Sequence, residues 1–158
     1  MASESFYPDV MPPHPGHPKR ADFTMVNLAD GKGRGLVTAR PLAAGAEVAQ
    51  LAGLVTPTPS LDTLQIGPEL YMADPWFSRF LLHHCDPNCR VDQTQMRLMA
   101  RRAIAPGERI TIDYTQTEDR LGRQFECRCG APDCQGWIMG RKETPNAEGQ
   151  AFLTPGSR

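Results

Sequence analysis

The chain has 158 residues, enough for one domain that buries roughly two-thirds of its unfolded surface around a single core. Seventeen Lys and Arg stand against eighteen Asp and Glu, so no global field recruits nucleic acid or a membrane surface, and a small substrate or a short protein segment is the better-suited partner. No window approaches the run of about eighteen apolar residues that a membrane span needs, and the opening MASESFYPDV lacks the basic and apolar regions of a secretion signal; together these predict a soluble intracellular protein, cytoplasmic or nuclear.

Residues 1–20 hold Pro8, Pro12, Pro13, Pro15 and Pro18. Proline removes ladder donors, so this composition predicts a disordered tail, in which His14 and His17 are solvated side chains. Residues 35–40 and 47–51 flank the turn-rich stretch 41–45 and predict a hairpin or near-hairpin. Residues 61–76 suit one short helix, broken near Gly67-Pro68. Residues 96–104 and 109–114 repeat the strand pattern around Ala105-Pro106-Gly107-Glu108, with Ile110, Ile112 and Tyr114 on one face and Thr111 and Asp113 on the other. Residues 141–158 return to polar, Pro- and Gly-containing sequence and predict a second flexible tail. The expected fold class is mostly β.

Four of the five cysteines form the strongest chemical signal. In a reducing compartment clustered thiols point to metal rather than to disulfides, and an odd count points the same way. Cys127, Cys129 and Cys134 sit at spacings that wrap a single tetrahedral zinc, and each thiolate is kept deprotonated by the cation. The fourth ligand comes from elsewhere, with Cys85 and Cys89 as candidates. Such a zinc welds the segment around Arg79-Phe80-Leu81-Leu82-His83-His84-Cys85 to the segment that starts at Phe125, with Tyr114 delivered beside them and a cleft between.

Four ordered motifs then carry a resemblance. Lys32-Gly33-Arg34-Gly35-Leu36, the stretch RFLLHHCDPNC, the stretch APGERITIDY and the stretch FECRCGAPDCQG together resemble a SET domain with its post-SET zinc segment, the fold of protein lysine methyltransferases. The match runs from about Phe23 to Met139. It implies a SET domain over 21–116 and a post-SET segment over 117–140, built of small curved sheets in which residues 79–89 meet residues 109–114 at a knot-like crossing. It also implies S-adenosylmethionine on one side of that crossing and a protein lysine, on a histone or another substrate, entering from the other.

Carried over by position, Lys32, Gly33, Arg34 and Gly35 approach the cofactor's methionine portion, where glycine permits close contact. Tyr71 borders both the cofactor and the lysine channel, and Arg79, Leu82 and His83 line the cofactor, with the His83 backbone reading the adenine edge. Gln124 touches the adenosine, and Phe125 and Trp137 cover the adenine face. Tyr114 resembles the active-site tyrosine, and Ile112 joins it and Tyr71 in the lysine channel. Cys85 is the position that resembles the fourth zinc ligand, leaving Cys89 as a buried free thiol.

The chain departs from the family pattern where Leu82-His83-His84-Cys85 stands for the usual Asn-His-Ser-Cys, because a leucine side chain cannot accept a hydrogen bond from the cofactor's ammonium. Thr115-Gln116 replaces a Gly-aromatic pair. The apolar Ile112 holds no water by hydrogen bonding and favours more than one methyl addition. Two function classes follow: a small protein-lysine N-methyltransferase, or a catalytically weak, zinc-tied SET-like module that binds a protein partner. A zinc-ribbon nucleic-acid binder ranks last for want of a basic stripe.

Overall fold

The computed structural model of the protein describes residues 3–29 and 33–156, so Lys32 lies outside the described residues. In chain order the elements are β1 (Phe23–Asn27), β2 (Arg34–Thr38), β3 (Glu47–Gln50), β4 (Leu54–Thr56), β5 (Thr63–Gly67), β6 (Leu70–Ala73), a 3-10 turn at Ser78–Phe80, β7 (Leu82–His83), β8 (Cys89–Asp92) and β9 (Arg97–Ala100). They continue with β10 (Thr111–Ile112), a second 3-10 turn at Tyr114–Gln116, β11 (Phe125–Glu126), β12 (Trp137–Ile138) and helix α1 (Ala147–Leu153). The strands form small sheets: β1-β2, β3-β9-β8, β4-β6-β5, β7-β10 and β11-β12. Mostly β is thus the observed class, and among the described residues no helix is long and apolar enough to cross a membrane.

The strand assignments hold better than their partners. The expected hairpin of 35–40 with 47–51 does not form: β2 pairs with β1, Met25 opposite Leu36, while β3 pairs with β9. The stretch 96–104 likewise does not pair with 109–114, because β9 lies between β3 and β8 and Thr111–Ile112 runs parallel to β7. Both turns point their strands into the core, where Leu36, Leu98, Ile104 and Ile110 are each no more than 1% exposed. β2 and β9 each pair with the strand just before them, β1 and β8, while burial of the apolar faces brings β3 to β9 across a long stretch of chain. The helix expected over 61–76 is a hairpin instead, with Gln65 opposite Tyr71. Gly67-Pro68 supplies its turn, and Leu64, Tyr71 and Met72 are buried.

The expected N-terminal tail is an ordered strap. Ser5 bridges Lys19, the Phe6 N–H donates to the Pro18 carbonyl at 3.0 Å, and the Phe6 ring meets Phe77 edge-on at 5.2 Å. The Tyr7 hydroxyl accepts from the Ala52 N–H at 3.0 Å and donates to Asp74 Oδ2 at 2.9 Å. Asp74 also accepts the N–H groups of Trp76, Phe77 and Ser78, so the strap fixes the turn that carries Arg79 and Phe80 to the cleft. Prolines deny the segment a ladder, yet two buried aromatics and one buried hydroxyl anchor it without one. Replacing Tyr7 by Phe leaves the partly buried Ala52 N–H without its acceptor and removes one of the two donors to Asp74 Oδ2, the other being the Ser78 N–H, and is expected to destabilise the fold by about 1–3 kcal/mol. Chemical denaturation checks this; an unchanged midpoint would mean the strap carries no stability.

The C-terminal stretch is not a free tail either. Asn146 caps α1 by accepting from the Gly149 N–H at 2.9 Å, and the helix lies on the cysteine-rich segment, where the Trp137 and Phe152 rings are 5.7 Å apart. A Cβ on Gly149 would sit 2.3 Å from Trp137 Nε1, so only glycine lets the helix backbone approach the indole this closely.

Candidate active site and metal centre

The sulfurs of Cys85, Cys127, Cys129 and Cys134 all lie within 4.8 Å of one another. Cys85 Sγ is 3.9 Å from Cys127 Sγ and 4.0 Å from Cys134 Sγ. Four thiolates about 2.3 Å from a central zinc in a tetrahedron stand about 3.8 Å apart, so the cluster fits one closed structural zinc site. The backbone prepares it: the Cys127 N–H donates to the Gly136 carbonyl at 2.7 Å, the Gln135 N–H points at Cys85 Sγ, and Gly136 takes a φ of +77°, which favours glycine. Cys89 stays outside the cluster. It is fully buried in β8 among core side chains, and burial pushes its thiol up to about 12, which leaves it inert.

The two remote segments meet where β7 and β10 pair in parallel, Leu82 opposite Thr111 and His83 opposite Ile112. Asn88 locks this junction: its amide donates to the Arg109 carbonyl at 2.7 Å and accepts from the Thr111 N–H at 2.9 Å. His83 joins the metal centre to Tyr114. Its Nδ1 accepts from the Tyr114 N–H at 3.1 Å, which places the ring proton on Nε2, 3.4 Å from Cys85 Sγ. Burial lowers the His83 pKa against the opposing charge of Asp113, so the neutral tautomer is the working form.

Tyr114 leaves β10 through the 3-10 turn and directs its hydroxyl to the Leu81 carbonyl, 2.5 Å away. Its ring packs against His83 at 5.2 Å and edge-on against Phe125 at 6.0 Å. Burial raises its pKa above the ordinary phenol value, and the charge of Glu118 adds to the shift. The hydroxyl therefore remains a donor toward Leu81 while its lone pairs stay available as acceptors.

A cleft of about 1680 Å³ runs along this junction. Gly33, Arg34, Arg79, Leu82, His83, Ile112, Tyr114, Gln124, Phe125 and Trp137 all line it, and so do Cys127 and Cys129. Two positions assigned from the resemblance fall differently. Gly35 faces the protein: a Cβ there would lie 2.8 Å from Leu82 Cδ1, so the glycine makes room for the leucine side chain. Tyr71 is fully buried and does not line the cleft. Gln124 borders the cleft with its carboxamide already committed, accepting from Trp137 Nε1 and the Asn146 N–H and donating to the Thr144 carbonyl. Arg34 and Arg79 flank the Phe80 ring at 5.0 and 5.3 Å, so two guanidinium groups edge one end of the cleft.

Sequence reading assigned nothing to three further groups. The Leu81 carbonyl holds Tyr114, Glu118 lines the cleft as a buried acid, and Glu148, Ala151 and Phe152 of α1 form part of its wall. A backbone carbonyl leaves no trace in sequence. Glu118 had a readable signal, an acid four residues after the tyrosine on the turn that follows it.

Known proteins resemble the chain over this region. Histone-lysine N-methyltransferase ASHR3 of Arabidopsis thaliana is 36% identical over 75 residues, covering 44% of this chain and 15% of that protein. The H3 lysine-36 specific histone-lysine N-methyltransferase of Aspergillus fumigatus is 40% identical over 76 residues, covering 44% of this chain and 8% of that one. The matched region is therefore a small part of each relative. Among solved structures, KRYPTONITE in complex with mCHH DNA, H3(1-15) peptide and SAH superposes with a TM-score of 0.57 at 26% identity, over 73% of this chain and 29% of the other. The methyltransferase domain of human SETMAR, at 23% identity and a TM-score of 0.57 over 75% of this chain and 58% of its own, shows the same fold. The sequence pattern of the SET domain matches residues 33–115, more than half of the chain, and with the parallel β7-β10 junction inside that span the protein belongs to the SET domain family.

Proposed function

We propose that this chain transfers a methyl group to the side-chain amine of a lysine in a protein substrate, a histone or another protein, within the cytoplasm or nucleus. The observation that carries the reading is the Tyr114 hydroxyl, fixed on the Leu81 carbonyl in a cleft that Phe125, Cys127 and Cys129 of the cysteine-rich segment also line. S-adenosylmethionine, when bound, supplies an activated methyl group on a sulfonium. Catalysis then rests on alignment and on a polar environment, with no protein nucleophile. SAH in the KRYPTONITE complex supports the choice of cofactor.

In this reading Tyr114 is catalytic and orients the amine through its lone pairs. Tyr71 and Ile112 border the lysine path, Tyr71 from beneath the cleft wall. Gly33, Arg34, Arg79, Leu82 and His83 hold the methionine and adenine edges of the cofactor, the two arginines offering charge to its carboxylate. Gly35 acts through Leu82, while Gln124, Phe125 and Trp137 build the adenine side. We divide the chain into a SET domain over 21–116 and a zinc segment over 117–140. Incubating the zinc-loaded protein with isotope-labelled S-adenosylmethionine and histones or lysate, followed by mass spectrometry of the peptides, is expected to reveal labelled lysine.

One feature favours a second reading. Leu82 contributes an apolar side chain to the cleft wall where the family usually offers an amide, which suits a catalytically weak binding module. A calorimetric titration with S-adenosylmethionine separates the two: heat of binding supports the enzyme, and none at high concentration supports the module.

A further inference from the structure

We propose that Glu118 is the anionic subsite of the cleft, a carboxylate that receives the primary ammonium of the entering lysine and takes its proton. This deepens the lysine-transfer reading and rests on it. Glu118 is 6% exposed, lines the cleft, and lies one turn beyond Tyr114, with its N–H donating to the Tyr114 carbonyl at 2.9 Å. Both carboxylate oxygens face the same backbone donor, the Gln65 N–H, at 3.1 and 2.9 Å.

The cations around it are committed elsewhere. Arg141 binds Asp119 through Nε and the carbonyls of Gln116 and Thr117 through its terminal nitrogens; Lys142 pairs with Asp119, and Arg120 pairs with Glu69. The Gln65 carboxamide is also occupied, donating to Asp119 Oδ2 and accepting from the Asp119 N–H. Among the described residues Glu118 therefore forms no ion pair. A buried carboxylate in that condition is costly as an anion until a cation arrives. The strand that binds Glu118 also carries the neighbour of a buried tyrosine: Tyr71 stands opposite Gln65 across β5 and β6 and is fully buried.

Of Tyr114 and Glu118, only the acid can act as a base at neutral pH. Tyr114 is held protonated by burial. Burial brings Glu118 up to about 7, offset by the Gln65 N–H, the Thr117 hydroxyl and the charge of Arg141, and reinforced by Asp119. That value suits a general base near neutrality. The step balances simply. One N–H bond of the ammonium breaks with its electron pair left on nitrogen, an O–H bond forms on Glu118, and the two opposite charges disappear together. The proton then leaves to water along the open side of the cleft, restoring the carboxylate. The freed lone pair is what methyl transfer requires.

The sign with pH follows. Glu118 is a carboxylate above about pH 7 and an acid below it, so turnover and ammonium binding rise as pH passes through that value. The test uses the full zinc-loaded chain and Glu118→Gln, which keeps an acceptor for the Gln65 N–H. The probe for binding is n-butylammonium, a mimic of the lysine head, followed by NMR titration. The variant is expected to bind it about tenfold or more weakly, with zinc content and S-adenosylmethionine affinity unchanged, and turnover on histone lysine should fall about 100-fold with loss of the rise through pH 7. Equal n-butylammonium binding in the two proteins, or no binding to either, overturns the assignment, as does an unaltered pH profile. Should the variant not fold, the unmodified protein decides: its n-butylammonium affinity must rise across that pH, and a flat titration overturns the proposal. Binding through Glu118 without any methyl transfer would refute the lysine-transfer reading and leave the subsite standing; transfer that persists equally in the variant does the reverse.

Discussion

Replacing Tyr114 by Phe is expected to cut turnover by about 100-fold or more while zinc content and cofactor affinity stay close to those of the parent. The hydroxyl makes one described hydrogen bond, to the Leu81 carbonyl, and the ring contacts with His83 and Phe125 survive the change. Loss of that bond costs about 1 kcal/mol, which lowers the melting temperature of a domain of this size by about 2–4 °C. Isotope-based turnover, metal analysis and a melting curve on the same preparation distinguish the cases. Near-parental turnover would remove Tyr114 from the chemistry. A collapse of folding and zinc content together would make it a core tyrosine, a real alternative for a side chain packed this closely between a histidine and a phenylalanine.

The second large effect lies in the metal. Cys129→Ser is expected to reduce bound zinc from about one equivalent to nearly none and to loosen residues 125–139, as does chelation of the parent protein. The physical reason is that few backbone bonds hold this segment: β11 and β12 pair over two residues each, and beside the Phe125 ring contacts with His83 and Tyr114 the link back to β7 runs through Cys85. Cofactor affinity should therefore fall more steeply than the stability of the main sheets, since the cleft loses the wall that carries Phe125 and Trp137. Hydrogen exchange confined to 125–139, beside a metal assay, reads this directly. Zinc retained at full stoichiometry in the variant would refute the ligand set. Cys89→Ser is the natural control, because that thiol sits in the β8 core outside the cluster.

The two effects are connected through His83. One ring nitrogen holds the Tyr114 backbone and the other faces a zinc-ligand sulfur, so disturbance of the metal reaches the tyrosine through a single imidazole. This linkage explains why a structural zinc site should matter to chemistry performed on the other side of the crossing.

Much of the site was legible because its signals are local. Cys127, Cys129 and Cys134 are spaced to wrap one ion, and that spacing means the same thing in any fold. The strand patterns around Leu36, Val48, Leu98 and Ile112 likewise report a buried face wherever the strand ends up. Pairing partners were not legible. Alternation tells which residues face a core but not which edge offers it, so both expected hairpins gave way to other partners: β2 and β9 take the strands that precede them, β1 and β8, while β3 and β10 find theirs at long range. The two proline-containing ends misled for a related reason. Composition counts the donors a segment lacks, whereas Phe6, Tyr7 and Gly149 act through single contacts that composition averages away.

The amino-acid sequence by itself determined the three clustered thiols, the mostly β class and the tyrosine that closes the alternating stretch 109–114, because each is written in short-range spacing or alternation. Spacing left the fourth ligand open between Cys85 and Cys89, and the tertiary structure brings into the cluster the Cys85 that the family resemblance implies; only the tertiary structure decided that Gly35 yields its space to Leu82 and that a buried acid without a counter-ion stands one turn from Tyr114. Those facts depend on which surfaces meet across the crossing, and a one-dimensional pattern carries no record of that.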